Sequence, residues 1–98
     1  MYNNGANAEL RFVYDSAKSE TNRRKHGIDF ETAQLLWLDE DRIQVAARFV
    51  DEERSQVIGV IAGKHWAVVD TYRSEMVRII SARRARMEEV EEYKRRRV

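Results

Sequence analysis

The sequence of 98 residues contains no cysteine, no proline, four glycines and only two histidines. The absence of cysteine excludes disulfide bonds, a thiol nucleophile and zinc sites built on cysteine. Two histidines are too few for a zinc site of their own. No hydrophobic run approaches the roughly 18–20 residues that a membrane-spanning helix needs. The first residues lack the layout of a secretory signal, so the sequence predicts a cytoplasmic protein.

Several common catalytic motifs are also missing from the sequence. It has no phosphate-binding GxxxxGK[ST] loop, no dinucleotide-binding GxGxxG pattern, no GxSxG elbow and no HExxH pair. With 43% hydrophobic and 36% charged residues, the composition is typical of a globular domain rather than of a disordered chain. We expect one domain over residues 10–98. The polar, asparagine-rich residues 1–9 are predicted to form a disordered leader.

The formal net charge of +1 conceals an uneven distribution of charge. Residues 29–53 carry eight acidic and two basic side chains, a net charge of −6, so the remainder of the chain carries +7. This separation predicts an acidic face and a basic face suited to a polyanion. The alternative is a mixed, solvated surface without a binding role.

Hydrophobic periodicity and turn residues predict an α+β domain. The predicted elements are a strand at 10–14, helices at 17–25 and 30–38, strands at 42–49, 54–62, 65–73 and 76–83, and a helix at 86–97. Asp15 or Ser16 should cap the first helix, which ends at Gly27, and Asp29 should cap the second. Short separators, including a turn at Gly63–Lys64, favour antiparallel hairpins. The predicted fold is an antiparallel sheet with two N-terminal helices and one C-terminal helix, in the order β-α-α-β-β-β-β-α.

A first cluster of chemically useful residues lies where the first helix ends. Lys25 and His26 directly precede Gly27. Histidine is the side chain best suited to proton transfer near neutral pH, so His26 is a candidate acid or base, and Lys25 is a candidate phosphate ligand. The alternative is that both cations only complement the negative end of the helix dipole.

A second cluster lies in the last predicted strand. Strict alternation would put Arg78 and Arg83 on opposite faces of the sheet. One of them would then lie along the wall of the core, and the other would be displayed on the open face, where its planar guanidinium suits phosphate. Arg54 would join the displayed arginine if its strand is a neighbour. Arg73, at a hairpin end, is predicted to be merely solvated.

Two segments of the chain carry longer, ordered patterns of residues. The first comprises Phe12, Tyr14, Asp15, Lys18, Asn22, Lys25, His26, Gly27, Ile28, Phe30 and Ala33. The second comprises Arg78, Ile79, Ile80, Ser81, Ala82, Arg83, Arg84, Ala85, Glu88 and Tyr93, with Arg54 and Gly59 between the two patterns. Together they resemble the opening and closing signatures of the BrnT family over residues 10–93. The chain departs from that family at Tyr14, where relatives more often carry Trp, and in its short segment between Trp37 and Arg54.

The resemblance implies the toxin of a type II toxin–antitoxin pair. Members of such a family are expected to be endoribonucleases with a RelE-like fold that cleave RNA without a metal ion or cofactor and so inhibit translation. The expected partner is a BrnA-type antitoxin, which neutralises the toxin, assembles it into a higher-order complex and carries the contact with promoter DNA. No membrane partner is expected.

Under this resemblance, four residues are expected to be catalytic. His26 would act as acid or base with Lys25, while Arg54 and Arg83 would hold the phosphate in the transition state. The residues expected to bind RNA are Arg78, Arg84 and Tyr93. For Tyr93, the alternative is packing against its own helix.

A different class of function stays open at this point. The basic C-terminal segment that begins at Arg83 could serve a non-enzymatic nucleic-acid-binding module through phosphate contacts alone. Such binding would fall steeply with salt, whereas an enzyme would show turnover and sensitivity to one or two substitutions.

Overall fold

The protein is described by a computed structural model over residues 10–46 and 54–96. Its elements are β1 (Arg11–Val13), α1 (Ser16–His26), α2 (Phe30–Ala33), a 3-10 helix (Gln34–Leu38), β2 (Ile43–Ala46), β3 (Ser55–Ile61), β4 (Lys64–Arg73), β5 (Met76–Arg84) and α3 (Met87–Arg96). The predicted α+β layout and element order are confirmed. The predicted leader and residues 47–49 of the predicted first long strand lie outside the described residues.

The five strands form one sheet in the order β1-β5-β4-β3-β2. Strands β2 to β5 pair antiparallel through consecutive hairpins, as predicted. Strand β1, however, pairs parallel with β5, with Phe12 opposite Val77. The sheet is therefore mixed, not fully antiparallel, because β1 and β5 are separated by enough chain to make the crossover that parallel strands require.

Both long hairpins turn on two residues with positive φ angles. Ala62 and Gly63 connect β3 to β4 with φ angles of 51° and 80°. The turn therefore lies one residue before the predicted Gly63–Lys64, and Lys64 already belongs to β4. Ser74 and Glu75 connect β4 to β5 with φ angles of 49° and 68°. Positive φ at both central residues matches the twist of the flanking strands, which explains this choice of turn.

Helix α1 is joined to the sheet by a buried side-chain amide. Asn22 donates hydrogen bonds to the carbonyl oxygens of Ile28 and Ala82, at 2.8 and 2.9 Å, and accepts one from the Ala82 N–H at 3.3 Å. The amide of Asn22 thus bonds the edge of β5 beyond the end of β1, where the backbone would otherwise lack a partner. At the ends of the helix, Asp15 accepts from the Lys18 N–H and Gly27 adopts the left-handed conformation, as predicted.

Helices cover the sheet on both faces. On the first, which we call the α1/α2 face, the buried residues are Ile28, Phe30, Ala33, Leu36, Trp37, Val57, Trp66, Val68, Val77, Ile79 and Ala82. On the second, the α3 face, a smaller core consists of Ile43, Ile58, Ala67 and Tyr93. This second core is small, so α3 covers only one end of the α3 face of the sheet.

Asp39 connects the two layers around the edge of the sheet. Its Oδ2 accepts hydrogen bonds from the Val60 N–H at 2.8 Å and from the Tyr93 hydroxyl at 2.7 Å. Burial raises the pKa of Asp39, but these bonds and a third from the Asp41 N–H outweigh it, so the pKa lies below its usual value. A Cβ at Gly59 would lie 3.0 Å from the same carboxylate, so a side chain at this position would require Asp39 to move.

Asp70 is a buried acid on the α1/α2 face. It is 2% exposed and accepts a hydrogen bond from the Ser55 hydroxyl at 2.9 Å. Burial raises its pKa to about 6, because one hydroxyl does not replace the water that a carboxylate loses. The ionised carboxylate therefore destabilises the native state at neutral pH.

We expect Asp70→Asn to stabilise the protein at pH 7. Between the unfolded pKa near 3.8 and the native value near 6, the native state binds more protons than the unfolded state. Its stability therefore falls as pH rises through this range. The amide avoids this loss, which amounts to at most about 3 kcal/mol. Urea unfolding at pH 7 and pH 4 tests the prediction. The gain in the free energy of unfolding should be smaller at pH 4 than at pH 7, and the control Glu40→Gln, at an exposed site, should leave that free energy unchanged. Destabilisation at both pH values would contradict it.

Candidate nucleic-acid interface

An extra residue in β5 determines which arginines share a face of the sheet. Arg83 lies opposite Ala67 and Arg78 lies opposite Thr71, and these two partners are four residues apart on β4. The register shifts between Val69 and Asp70, so that β5 carries one residue more than β4 over this stretch. Such a bulge reverses the alternation beyond it. Arg78 and Arg83 therefore lie on the same face, and the expectation of opposite faces is wrong.

Two cross-strand rows of arginines follow from the same register. In one row, Arg11 and Arg73 both lie opposite Met76. In the other, Arg78 lies between Val13 and Thr71. Arg54 precedes Ser55, the partner of Asp70, so continuing that register puts Arg54 on the other side of Thr71. We call the resulting surface the arginine face; its residues are Arg11, Arg54, Arg73, Arg78 and Arg83.

At one end of the arginine face, α3 is attached through Arg83. The Arg83 guanidinium donates two parallel hydrogen bonds to the Glu89 carboxylate, both at 2.9 Å, and Gln56 adds a third to Glu89 at 3.0 Å. The hydrogen bonds from Arg83 lower the pKa of Glu89 to about 2, against the effect of burial. The same ion pair raises the pKa of Arg83. The charge of Arg83 is thus compensated by α3, and its side chain is held in place.

We expect Glu89→Gln to destabilise the protein by about 2 kcal/mol at pH 7, because it leaves a partly buried guanidinium without its carboxylate. A carboxyl whose native pKa is depressed stabilises the fold above its unfolded pKa of about 4.5, and this stabilisation is lost as pH falls toward 2. The difference in the free energy of unfolding between Glu89→Gln and the wild type should therefore become smaller in acid. Urea unfolding across this pH range is the measurement.

The matched control is Glu91→Gln, an exposed acid on the same helix, which should change stability by less than about 0.5 kcal/mol. Equal effects of the two substitutions would show that the ion pair between Arg83 and Glu89 contributes nothing specific to the attachment of α3.

Beyond α3, the arginine face contains an open groove of about 520 Å³. Its lining residues are Val13, Tyr14, Asp15, Thr71, Arg73, Met76 and Arg78. Arg73 therefore lines a groove beside Arg78, whereas the sequence predicted only a solvated side chain. This part of the face thus combines positive charge with a concave surface.

Lys25 and His26 lie in the exposed last turn of α1. The hydrogen bonds between Asn22 and Ala82 place this turn beside the C-terminal end of β5, and so at the end of the sheet that holds Arg83. Within residues 10–46 and 54–96, neither side chain makes a hydrogen bond or ion pair. The predicted site residues thus fall into two groups, with Lys25, His26 and Arg83 toward one end of β5, and Arg54 and Arg78 toward the other.

Arg84 and Tyr93 occupy environments of a different kind. Arg84 lies on the α1/α2 face, 5.5 Å from the centre of the Trp66 ring, and donates to the His65 carbonyl oxygen at 3.3 Å. Tyr93 is 2% exposed, and its ring packs edge-on against His65. A ring buried in this way has no free face for a nucleobase, and the core residues around it, Ile43, Ile58 and Ala67, lie on the sheet rather than on its own helix.

Sequence reasoning missed Arg11, Asp39 and Glu89 as contributors to this surface. Arg11 alternates with the core residue Phe12, and this period of two was a usable signal. The roles of Asp39 and Glu89 left no such signal. Val60, the partner of Asp39, is distant in sequence, and the direction of Arg83, the partner of Glu89, depends on the bulge.

Among residues 10–46 and 54–96, no helix is long and apolar enough to cross a membrane. In the same ranges, no three His, Asp or Glu side chains are grouped so that they could hold a metal ion.

Residues 14–89 match the model of a protein family described as the ribonuclease toxin BrnT of type II toxin–antitoxin systems. The chain belongs to this family. A search of curated proteins finds no match. The matched segment extends from Tyr14 into the first turn of α3 and includes Arg54, Arg78 and Arg83. The family description supports endoribonuclease activity, and a type II system implies an antitoxin as partner.

Proposed function

We propose that this BrnT-family toxin cleaves RNA without a metal ion, with the RNA strand lying across the arginine face. The observation that supports the proposal is the register that puts Arg54 and Arg78 on either side of Thr71. Two strand spacings separate their backbones by about 10 Å, a distance that long side chains can span toward one phosphate group. Guanidinium groups bind phosphate oxygens in pairs, which suits this role.

Cleavage without a metal ion needs three kinds of group. A base removes the proton of the ribose 2′-hydroxyl, cations stabilise the phosphate in the transition state, and an acid protonates the leaving 5′ oxygen. In this proposal Arg83 supplies the cation at the scissile phosphate, because it lies at the same end of β5 as Lys25 and His26, while Arg54 and Arg78 hold the RNA strand farther along the face. Arg83 contributes the positive charge at the covered end of the face, where Glu89 positions it.

Lys25 and His26 are the proposed proton-transfer pair. Both are exposed, and the bonds from Asn22 hold the end of α1 against β5. Arg84 lies at the same end of β5 and is proposed to contact the RNA strand where it leaves the sheet. Tyr93 is proposed to act through Asp39, by holding α3 in place, rather than by touching RNA.

The biological setting is proposed from the family. The chain would act in the cytoplasm by cleaving RNA and so inhibiting translation, and a BrnA-type antitoxin would neutralise it and carry the contact with promoter DNA. We propose that the antitoxin docks on the acidic face, where Glu31 and Glu40 are exposed together with Leu38, which is 72% exposed. Such a surface repels RNA and fits a partner segment with basic and apolar side chains.

We expect His26→Ala and Arg78→Ala each to reduce RNA cleavage by at least about 100-fold without unfolding the protein, because one removes a proton-transfer group and the other a cation that holds the RNA strand in place. Cleavage of single-stranded RNA in the presence of EDTA is the measurement, with circular dichroism to check folding. Lys64→Ala, which removes an exposed cation at the β3–β4 hairpin, should retain full activity.

The outcomes separate the enzyme from a binding module. Unchanged cleavage in both variants would contradict the assigned site, and cleavage only when a divalent metal is added would contradict metal independence. Salt-sensitive RNA binding with no turnover in the wild type would instead support the non-enzymatic module.

For the antitoxin surface, we expect Glu31→Lys with Glu40→Lys to weaken the complex with the cognate antitoxin at least tenfold, since the reversal replaces attraction by repulsion. Isothermal titration calorimetry measures this affinity. The control is Glu88→Lys with Glu91→Lys on α3, which makes the same change of charge on exposed residues elsewhere. Equal weakening by both pairs would show a general charge effect and contradict the docking surface.

A further inference from the structure

The groove on the arginine face has a chemical character of its own. Strands β1, β4 and β5 and the connection from β1 to α1 form its walls, and its volume of about 520 Å³ exceeds that of a nucleobase. Val13 and Met76 are 37% and 41% exposed there, between arginines. A patch of apolar surface beside guanidinium groups suits a ligand with flat apolar faces and a polar edge, which describes a nucleobase of single-stranded RNA.

A carboxylate in the same groove narrows the choice of ligand. Asp15 lines the groove and accepts a hydrogen bond from the Lys18 N–H with one of its oxygens. The hydrogen bond from the Lys18 backbone is the main reason that the pKa of Asp15 lies below its usual value, so this side chain is an ionised acceptor at neutral pH. A carboxylate repels phosphate but accepts hydrogen bonds from the N–H groups of a base.

The other polar groups in the groove are donors. Arg73 and Arg78 carry guanidinium groups, and Thr71 contributes a hydroxyl. Guanine is the one RNA base that presents two adjacent N–H donors, at N1 and N2, on one edge and two adjacent acceptors, O6 and N7, on the next. Arginine binds the O6 and N7 pair with two parallel hydrogen bonds, and a carboxylate complements the N1 and N2 pair.

We propose that this groove is a guanine-binding subsite, in which Asp15 accepts from the N1–H and N2–H groups while Arg73 or Arg78 donates to O6 and N7. Val13 and Met76 contact the face of the ring. The inference rests on the proposed function for its RNA ligand and adds a base preference to it. Because Arg78 also belongs to the row with Arg54, the bound guanine lies next to the phosphate that these two arginines are proposed to hold.

Direct binding tests the subsite without requiring cleavage. The probes are four single-stranded RNA pentamers of uridine whose central base is G, A, C or U, with a 2′-O-methyl group on every sugar to prevent cleavage. Fluorescence anisotropy at constant salt measures their affinities for the full chain. We expect the G pentamer to bind at least tenfold more tightly than the other three. A preference of less than fivefold would overturn the proposal.

A pair of matched variants tests the role of the carboxylate. Asp15→Asn retains a good helix cap but removes the charge, and Asp29→Asn makes the same change at the cap of α2, outside the groove. We expect Asp15→Asn to reduce the preference for G to less than twofold, while Asp29→Asn leaves it unchanged. Retention of the preference in Asp15→Asn, or its loss in both variants, would overturn the assignment.

The subsite and the proposed function fail in different ways. If the wild type selects the G pentamer but cleaves no RNA, the guanine subsite stands and the ribonuclease site is wrong. If the wild type cleaves unmodified RNA equally beside all four bases and binds the four pentamers equally, the ribonuclease proposal stands and the subsite is wrong.

Discussion

The bulge in β5 is the constraint on which the arginine face depends. Arg78 and Arg83 are five residues apart, so simple alternation would turn one guanidinium toward the α1/α2 core and the other away from it. One extra residue restores both arginines to the same face, while Val77, Ile79 and Ala82 all stay in the core on the opposite face. The core and the basic surface can therefore form on the two sides of one strand.

Two carboxylates attach α3 to this sheet, and they do so at one end only. Asp39 reaches Tyr93 around the edge of the sheet, and Glu89 binds Arg83 on the face itself. Both carboxylates have lowered pKa values, Asp39 because its hydrogen bonds outweigh burial and Glu89 because of the bonds from Arg83. The end of the face that α3 covers is thus held together by compensated charge, whereas Arg73 and Arg78 line an open groove beyond it.

Much of the local structure could be predicted because its causes are local. Asp15 and Asp29 cap the helices from the positions that the sequence indicated, and Gly27 ends α1. The hairpins follow from the short separators between strands in which apolar and polar residues alternate. The parallel pairing of β1 with β5 could not be read in this way, since it depends on contacts between segments more than sixty residues apart. The bulge left a weak local signal, since the adjacent Ile79 and Ile80 interrupt the alternation of apolar and polar residues, but two neighbouring apolar residues alone do not specify an extra residue in a strand.

The sequence by itself determined the order of the elements, the caps and the family, because each depends on residue types at short or ordered spacings. Only the tertiary structure decided which candidate residues meet. It placed Arg73 and Arg78 around one open groove, put Arg54 in the cross-strand row with Arg78, engaged Arg83 with Glu89 and buried Tyr93. The physical reason is that side-chain direction in a sheet depends on register, and register is set by pairing between strands and by packing against the core rather than by any residue alone.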